Sequence, residues 1–338
     1  MDTSRFQEIA AGFRNLRIAV IGDFCLDRYL EIDPGRSETS IETGLEVYNV
    51  VNVRSQPGGA GTILNNLLDL GVGRIIPIGF CGIDGEGAEL RGALAGLGER
   101  VDLEHFVETG ERRTFTYTKP LLIREGVPPQ ELNRLDFKNW SRTPNSLSET
   151  ISNSLKRLAQ SLDAIVVLDQ VDVAGTGVVT DLVLETLAEI AKARPSMLIL
   201  GDSRNGIGRF PAISLKVNDE EFRRQLSPAD DQGDDSKPAV AVAKARGSNL
   251  FVTQGSKGIL SASSEGESGH SPALPVRGAI DIVGAGDAVT ANLAAVLAAG
   301  GSNQEAMETA MAAASVVIHK LGTTGTATPE EISELLAD

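Results

Sequence analysis

The 338-residue chain has only two cysteines, Cys25 and Cys81, each inside an apolar run with no second Cys or His at metal-ligand spacing. This excludes a disulfide-stapled secreted fold and a cysteine-based metal centre, and points to core thiols in a reducing compartment. The three histidines, His105, His270 and His319, share no spacing that would bring two onto one metal. Basic charge is also short, with 31 Lys and Arg against 46 Asp and Glu and a formal net charge of -15. Such a field repels nucleic acid and anionic membrane, so neither is expected as a partner, while a local basic pocket stays compatible with it. No apolar run approaches a membrane span in length, and no apolar h-region follows Met1-Asp2-Thr3-Ser4-Arg5, so a cytoplasmic protein is expected.

What the chain does have is glycine, 36 residues of it, the signature of tight turns and of backbone brought close to a ligand. Apolar, β-branched runs at 16–22, 75–78, 164–168, 197–200 and 250–253 read as buried strands. Between them, 62–70, 87–97, 148–161 and 180–193 carry helical periodicity. The alternation predicts an α/β fold, a doubly wound and mainly parallel sheet flanked by helices, in one domain over 1–338. Ligands of such sheets lie beyond the carboxyl ends of the strands, where Asp23, Asp169, Asp202 and Asn218 fall. Residues 29–53 and 114–124 break the rhythm and read as exposed antiparallel strands, a small β-sheet lid over the site. The lid residues Ile41, Leu45, Val47, Val50, Phe115 and Tyr117 are too apolar to leave in water, which predicts a homodimer packed lid to lid. The acidic stretch 229–236 reads as a solvated loop.

The most informative segment is Asp281-Ile282-Val283-Gly284-Ala285-Gly286-Asp287, followed by an Ala-rich apolar helix. A Gly-Ala-Gly turn at a helix start leaves N–H groups pointing outward at the positive end of the helix dipole, which makes an anion site. Asp287 is either a stabiliser of that helix terminus or a carboxylate placed to take the proton of an attacking hydroxyl. Phosphoryl transfer needs such a base, a cradle for the phosphate and a hard cation. Gly284, Ala285 and Gly286 suit the cradle, and the oxygens of Asn218 and Glu221 suit Mg²⁺, with an acidic helix start as the plainer reading of that run.

In order and spacing these segments resemble the ribokinase-like (PfkB) carbohydrate kinase family over residues 16–330. Asp281-x-x-Gly-Ala-Gly-Asp287 is similar to the family's C-terminal signature, and Asn218-x-x-Glu221 to its Mg²⁺-linked element. Thr253-x-Gly255-x-x-Gly258 is similar to its nucleotide loop. Gly22-Asp23 with Asp27, and Gly58-Gly59 after Pro57, resemble its sugar-binding signature. The resemblance implies an ATP-dependent kinase with Asp287 as catalytic base and Asn218, Thr253, Gly255 and Gly258 at the nucleotide. It further implies Asp27, Gly58 and Gly59 at the sugar, Mg²⁺ as cofactor, and room for a monovalent cation such as K⁺. Residues 22–29, Arg134-Leu135-Asp136-Phe137 and 320–323 resemble the heptose-7-phosphate kinase subgroup found in bifunctional ADP-heptose synthases, with Arg134 a candidate for a distal phosphate. Ending at Asp338, the chain is expected to lack that subgroup's nucleotidyltransferase half.

Departures from the pattern bear on the substrate. Thr62 stands where a sugar-contacting Asn is usual, with Asn65 and Asn66 a turn later. Phe115 and Tyr117 occupy lid positions that are basic in the subgroup, and Val283 replaces a Thr before the glycine turn. The expected activity is transfer to a sugar or sugar phosphate, D-glycero-D-manno-heptose 7-phosphate among them. The alternatives are a nonenzymatic ligand-binding relative and a kinase of another small hydroxylated substrate. A Rossmann dehydrogenase is excluded because the first strand leads to Gly22-Asp23-Phe24 rather than to Gly-x-Gly-x-x-Gly.

Overall fold

The computed structural model describes residues 1–227, 235–322 and 324–337. A nine-stranded sheet runs in the order Ser268–Ser271, Ile259–Ala262, Leu250–Thr253, Ser214–Asn218, Leu198–Ser203, Ala164–Asp169, Arg17–Gly22, Arg74–Gly82, Phe106–Thr109. All neighbours are parallel except around Ile259–Ala262, which runs antiparallel to both Leu250–Thr253 and Ser268–Ser271. The alternation of Arg17–Gly22 divides its side chains between the faces. Ile18 and Val20 join the core under Thr3–Phe13, Ala60–Asp69, Ala285–Ala298 and Asn303–Ile318. Ala19 and Ile21 join the core under Asn145–Leu158 and Asp181–Ala193. Both faces are covered, which is why the strands read as continuous apolar runs.

The two neighbours of Arg17–Gly22 belong to chain segments that leave it in opposite directions, Arg74–Gly82 on one side and Ala164–Asp169 on the other. The crevice of an open α/β sheet opens at this switch point. Asp23 sits there fully inside: its carboxylate accepts from the N–H groups of Gln170 at 2.8 Å and Val178 at 2.7 Å, so it pins the following loop. Burial, and then the neighbouring Asp169, push its pKa up. Asp23 is thus a buttress of the site, not part of the sugar contact its signature implied.

The lid is a second sheet of Phe24–Ile32, Val50–Gly59, Phe115–Arg124, Val127–Glu131 and Leu135–Phe137. Phe24–Ile32 and Val50–Gly59 pair antiparallel as expected, but Phe115–Arg124 runs parallel to Phe24–Ile32. The long connection through Arg74–Gly82 and Phe106–Thr109 brings the chain back at the same end of the lid, which makes the parallel pairing possible. Phe115 departs from the expected exposure: it is buried against Phe80 at 6.0 Å between centroids. The expected acidic loop lies outside the described residues over 228–234, and its described end, Asp235, is buried and paired with Arg223 at 2.9 Å.

Candidate active site

Between the lid and the carboxyl ends of the main sheet lies a cleft of about 480 Å³. Its floor is the turn before Ala285–Ala298. Gly284 is the N-cap at φ 84°, and a Cβ there would come within 2.5 Å of the Thr324 methyl group, so only glycine makes this turn. The Ala285 N–H is spent on the Ile282 carbonyl at 3.2 Å, which removes it from the expected anion hole. The N–H groups of Gly286 and Asp287 have no partner among the described residues and remain for an anion at the helix start.

The Asp287 carboxylate lines the cleft with no hydrogen bond among the described residues. Loss of water inside the cleft, and then the negative field of Asp202, raise its pKa to about 7, against the pull of Lys216 and Arg204. A carboxylate so tuned is matched to proton transfer near neutral pH. Beneath the turn, buried Lys216 donates to Asp202 Oδ2 at 2.8 Å, and Thr290 Oγ1 donates to the same oxygen at 3.2 Å. Burial alone would lower the Lys216 pKa, but Asp202 overrides it and raises it, so the ammonium stays charged under the glycine turn.

Of the residues expected at the site, the structure gathers Asp27, Gly59, Arg134, Glu221, Gly284, Gly286 and Asp287 in this one cleft. Gly58 stands behind Asp27, where a Cβ would collide with the carboxylate. Asn218 and Glu221 face each other in a capping box: the Glu221 N–H donates to Asn218 Oδ1 at 2.7 Å and the Asn218 N–H to Glu221 Oε2 at 2.8 Å. Burial, and then Asp202, push the Glu221 carboxyl up. Thr253 neighbours Asn218 in register, and Gly255 and Gly258 form the turn after it; none of the three lines the cleft. Gly258 instead abuts residues 271–273, at the start of a second hollow of about 340 Å³ walled by Leu274, Pro275, His319 and Leu335. The Asp281 N–H, three residues before Gly284, donates to the carbonyl of Ile318, the neighbour of His319 in that hollow's wall, at 2.8 Å.

The lid wall is more basic than the sequence suggested. Lys119 Nζ lies 3.2 Å from Asp27 Oδ1 and 4.8 Å over the Tyr29 ring. Arg134 stacks on Tyr117 at 4.8 Å while holding Asp136 with two bonds of 2.7 and 2.8 Å. Extending the alternation of Phe115 and Tyr117 by one step reaches Lys119, so the period-2 pattern of the strand carries the signal. Gln170 and Arg204, at strand ends, also line the cleft without having been expected. Asn66 is not a sugar ligand, since it is buried and its amide donates to the Thr62 carbonyl at 2.9 Å.

A glycine turn with free N–H groups, a tuned carboxylate and a cationic wall define a small-molecule phosphotransferase site on a ribokinase-like fold. Residues 141–331 match the pfkB family carbohydrate kinase profile, and the chain belongs to that family as a carbohydrate kinase. The chain is 31% identical over 330 residues to the bifunctional protein HldE of Gluconacetobacter diazotrophicus, an alignment covering 96% of this chain and 65% of that protein. The HldE of Gluconobacter oxydans is 29% identical over 329 residues, covering 96% and 66%. The chain therefore spans just under two thirds of these relatives' length. Among solved structures, Arabidopsis thaliana ribokinase complexed with ribose and ATP matches with a TM-score of 0.68 and 18% identity, covering 96% of this chain and 99% of that one. Escherichia coli phosphofructokinase-2 in complex with potassium matches with a TM-score of 0.71 and 17% identity, covering 95% and 98%. Among the described residues no helix is long and apolar enough to cross a membrane.

Proposed function

We propose that this chain transfers the γ-phosphoryl group of ATP to a hydroxyl of a sugar phosphate, with heptose 7-phosphate the foremost candidate. The observation that carries this is Asp287: an unpartnered carboxylate raised to about 7, beside free N–H groups and facing cations from the lid. The acceptor hydroxyl gives its proton to Asp287 as its oxygen bonds to the γ-phosphorus. The bridging oxygen between the β- and γ-phosphorus leaves with ADP, and the Gly286 and Asp287 N–H groups hold the charge on the phosphoryl oxygens. The hollow by His319 suits the nucleoside end of ATP, since its wall is tied to the segment before the turn by the Asp281–Ile318 bond and is largely apolar. Thr253, Gly255 and Gly258 then support that hollow from behind, with Asn218 alongside.

The donor set fits a magnesium ion held mainly by water and phosphate. Glu221 spends one oxygen on its cap and keeps Oε1, Asp202 keeps Oδ1, and Asn218 Oδ1 is already bonded. Among the described residues no three acidic, His or Cys side chains gather into a full cage, in keeping with the few protein ligands Mg²⁺ takes. Glu221 and Asp202 would hold it, and it would offset phosphate charge. The resemblance of residues 22–29 and 134–137 to heptose-7-phosphate kinases, and the HldE relatives, support the anionic acceptor, as do Lys119 and Arg134 at the lid.

ADP release with Mg-ATP, measured across sugars, sugar phosphates and nucleosides, tests the reading. Turnover of a sugar phosphate is expected; turnover confined to nucleosides, or none at all, refutes it.

A further inference from the structure

Arg204 follows the strand Leu198–Ser203 and lines the cleft. The three other cations of the cleft wall are already neutralised: Lys119 by Asp27, Arg134 by Asp136 and Lys216 by Asp202. The exposed Arg204 side chain has no hydrogen bond or ion pair among the described residues. Its main chain, by contrast, is fastened on every side. The Arg204 N–H donates to the Asp169 carbonyl at 3.2 Å, and its carbonyl accepts from Arg224 at 2.8 Å and Gln225 at 3.1 Å. One residue back, Ser203 Oγ donates to Asp169 Oδ2 at 3.0 Å and accepts from the Gly206 N–H at 2.8 Å. Arg204 lines the cleft together with Asp287 and Tyr117, and its charge works against the burial that raises the pKa of each.

A fixed backbone carrying a free guanidinium is a prepared phosphate receptor. The planar fork grips two oxygens at once, and no internal ion pair must break for it to do so. Lys119 and Lys216 would each have to give up a carboxylate first. We propose that Arg204 clamps a phosphate group in this cleft, resting on the kinase reading above. The phosphate has two sources, the γ-group of the donor and a phosphate carried by the sugar.

Arg204→Met removes the fork at similar length and, with no internal partner lost, should leave the thermal midpoint unchanged. Two readouts then decide. Calorimetric binding of magnesium tripolyphosphate should weaken by about tenfold or more, the worth of a charge-assisted pair. Steady-state kinetics should show kcat/KM for a sugar phosphate reduced by about 10- to 100-fold, with Arg204→Lys recovering part of it. A fall in kcat shared by phosphorylated and neutral sugars identifies the transferred group as the one held. A rise in KM for the phosphorylated sugar alone identifies the sugar's own phosphate. Unchanged tripolyphosphate affinity together with kcat/KM within about threefold of wild type overturns the proposal. If wild type turns over no acceptor, the kinase reading fails, and the tripolyphosphate comparison alone still decides whether Arg204 binds phosphate.

Discussion

Lys216 donates to Asp202 at 2.8 Å beneath the glycine turn, with both side chains buried. The ammonium also lies 3.4 Å from where a Cβ at Gly286 would stand, so it underpins the glycine turn proposed to hold the transferred phosphate. Removing one member of such a pair leaves a bare buried charge. Lys216→Met should therefore cost about 3–5 kcal/mol of stability. Adding Asp202→Asn should recover most of that loss in urea denaturation while activity stays low. A double variant as unstable as the single one would show that the pair is not what holds the turn.

Asp287 connects the pH dependence of rate and of stability. In its proposed role as base it works deprotonated, so kcat/KM should rise with pH through about 7 and then level off, following its raised pKa. The folded protein holds this proton more tightly than the unfolded chain does. The stability it contributes is thus complete below the ordinary carboxylate range and lost as pH rises from about 4 to about 7. Asp287→Asn should lower kcat by about 10²–10⁴-fold and make the protein more stable than wild type at pH 8 but not at pH 4. Thermal melts at the two pH values and a pH–rate profile check both. A variant within about tenfold of wild-type kcat would assign the base elsewhere.

The fold was legible because burial of the sheet on both faces writes itself as apolar runs. The strands at 164–168 and 250–253 were located almost to the residue, as Ala164–Asp169 and Leu250–Thr253. Ser268–Ser271 left no such trace, since a short edge strand of Ser, Gly and His carries no apolar pattern, and the four residues of Ile259–Ala262 make too short a run to stand out. Site residues on Gly-rich turns were readable, because glycine at Gly59 and Gly284 is demanded by local geometry that sequence records. Long-range partnerships were not. Nothing near Lys119 in the chain announces Asp27, and Ala285 looks like any member of the turn until its N–H is seen to bond Ile282. Asp23 and Asp27 sit four residues apart in one motif, yet one ends on backbone N–H groups and the other on a lysine.

Glu221 has two duties that one substitution separates. Glu221→Gln keeps an oxygen for the Asn218 N–H and so keeps the cap, but removes the charge facing a cation. It should leave stability near wild type and raise the Mg²⁺ concentration for half-maximal activity several-fold. Glu221→Ala should also lose the cap, at about 1 kcal/mol. An Mg²⁺ titration of Glu221→Gln that overlays wild type would leave only the capping role.

The outer lid is apolar and wet. Ile41 is fully exposed, and Leu45, Tyr48, Val51 and Val53 are at least 44% exposed on or beside the edge strand Val50–Gly59. We propose a homodimer packed through this edge, with Ile41, Leu45 and Val50 in the contact, whereas Phe115 and Tyr117 turn inward and take no part. Light scattering should give a dimer at micromolar concentration, and Leu45→Asp with Val51→Asp a monomer. A monomeric wild type would contradict it.

The acceptor is decided at the other face of the lid. Lys119 is held by Asp27 and sits over Tyr29, which offsets the desolvation that would otherwise lower its pKa, and its charge is retained. In the bound complex Asp27 would take a sugar hydroxyl, and Lys119 and Arg134 would share the acceptor's phosphate, since a dianion entering this cleft needs charge-assisted donors. Lys119→Met should then raise KM for a sugar phosphate by about tenfold and barely alter KM for the neutral sugar. Arg134→Met should act in the same direction but less, because Asp136 already draws on its fork. The comparison of kcat/KM for a phosphorylated sugar and its dephosphorylated form in wild type sets the sign. If the neutral sugar is preferred by about tenfold or more, Tyr117 is stacking on an uncharged ring and the anionic acceptor is wrong.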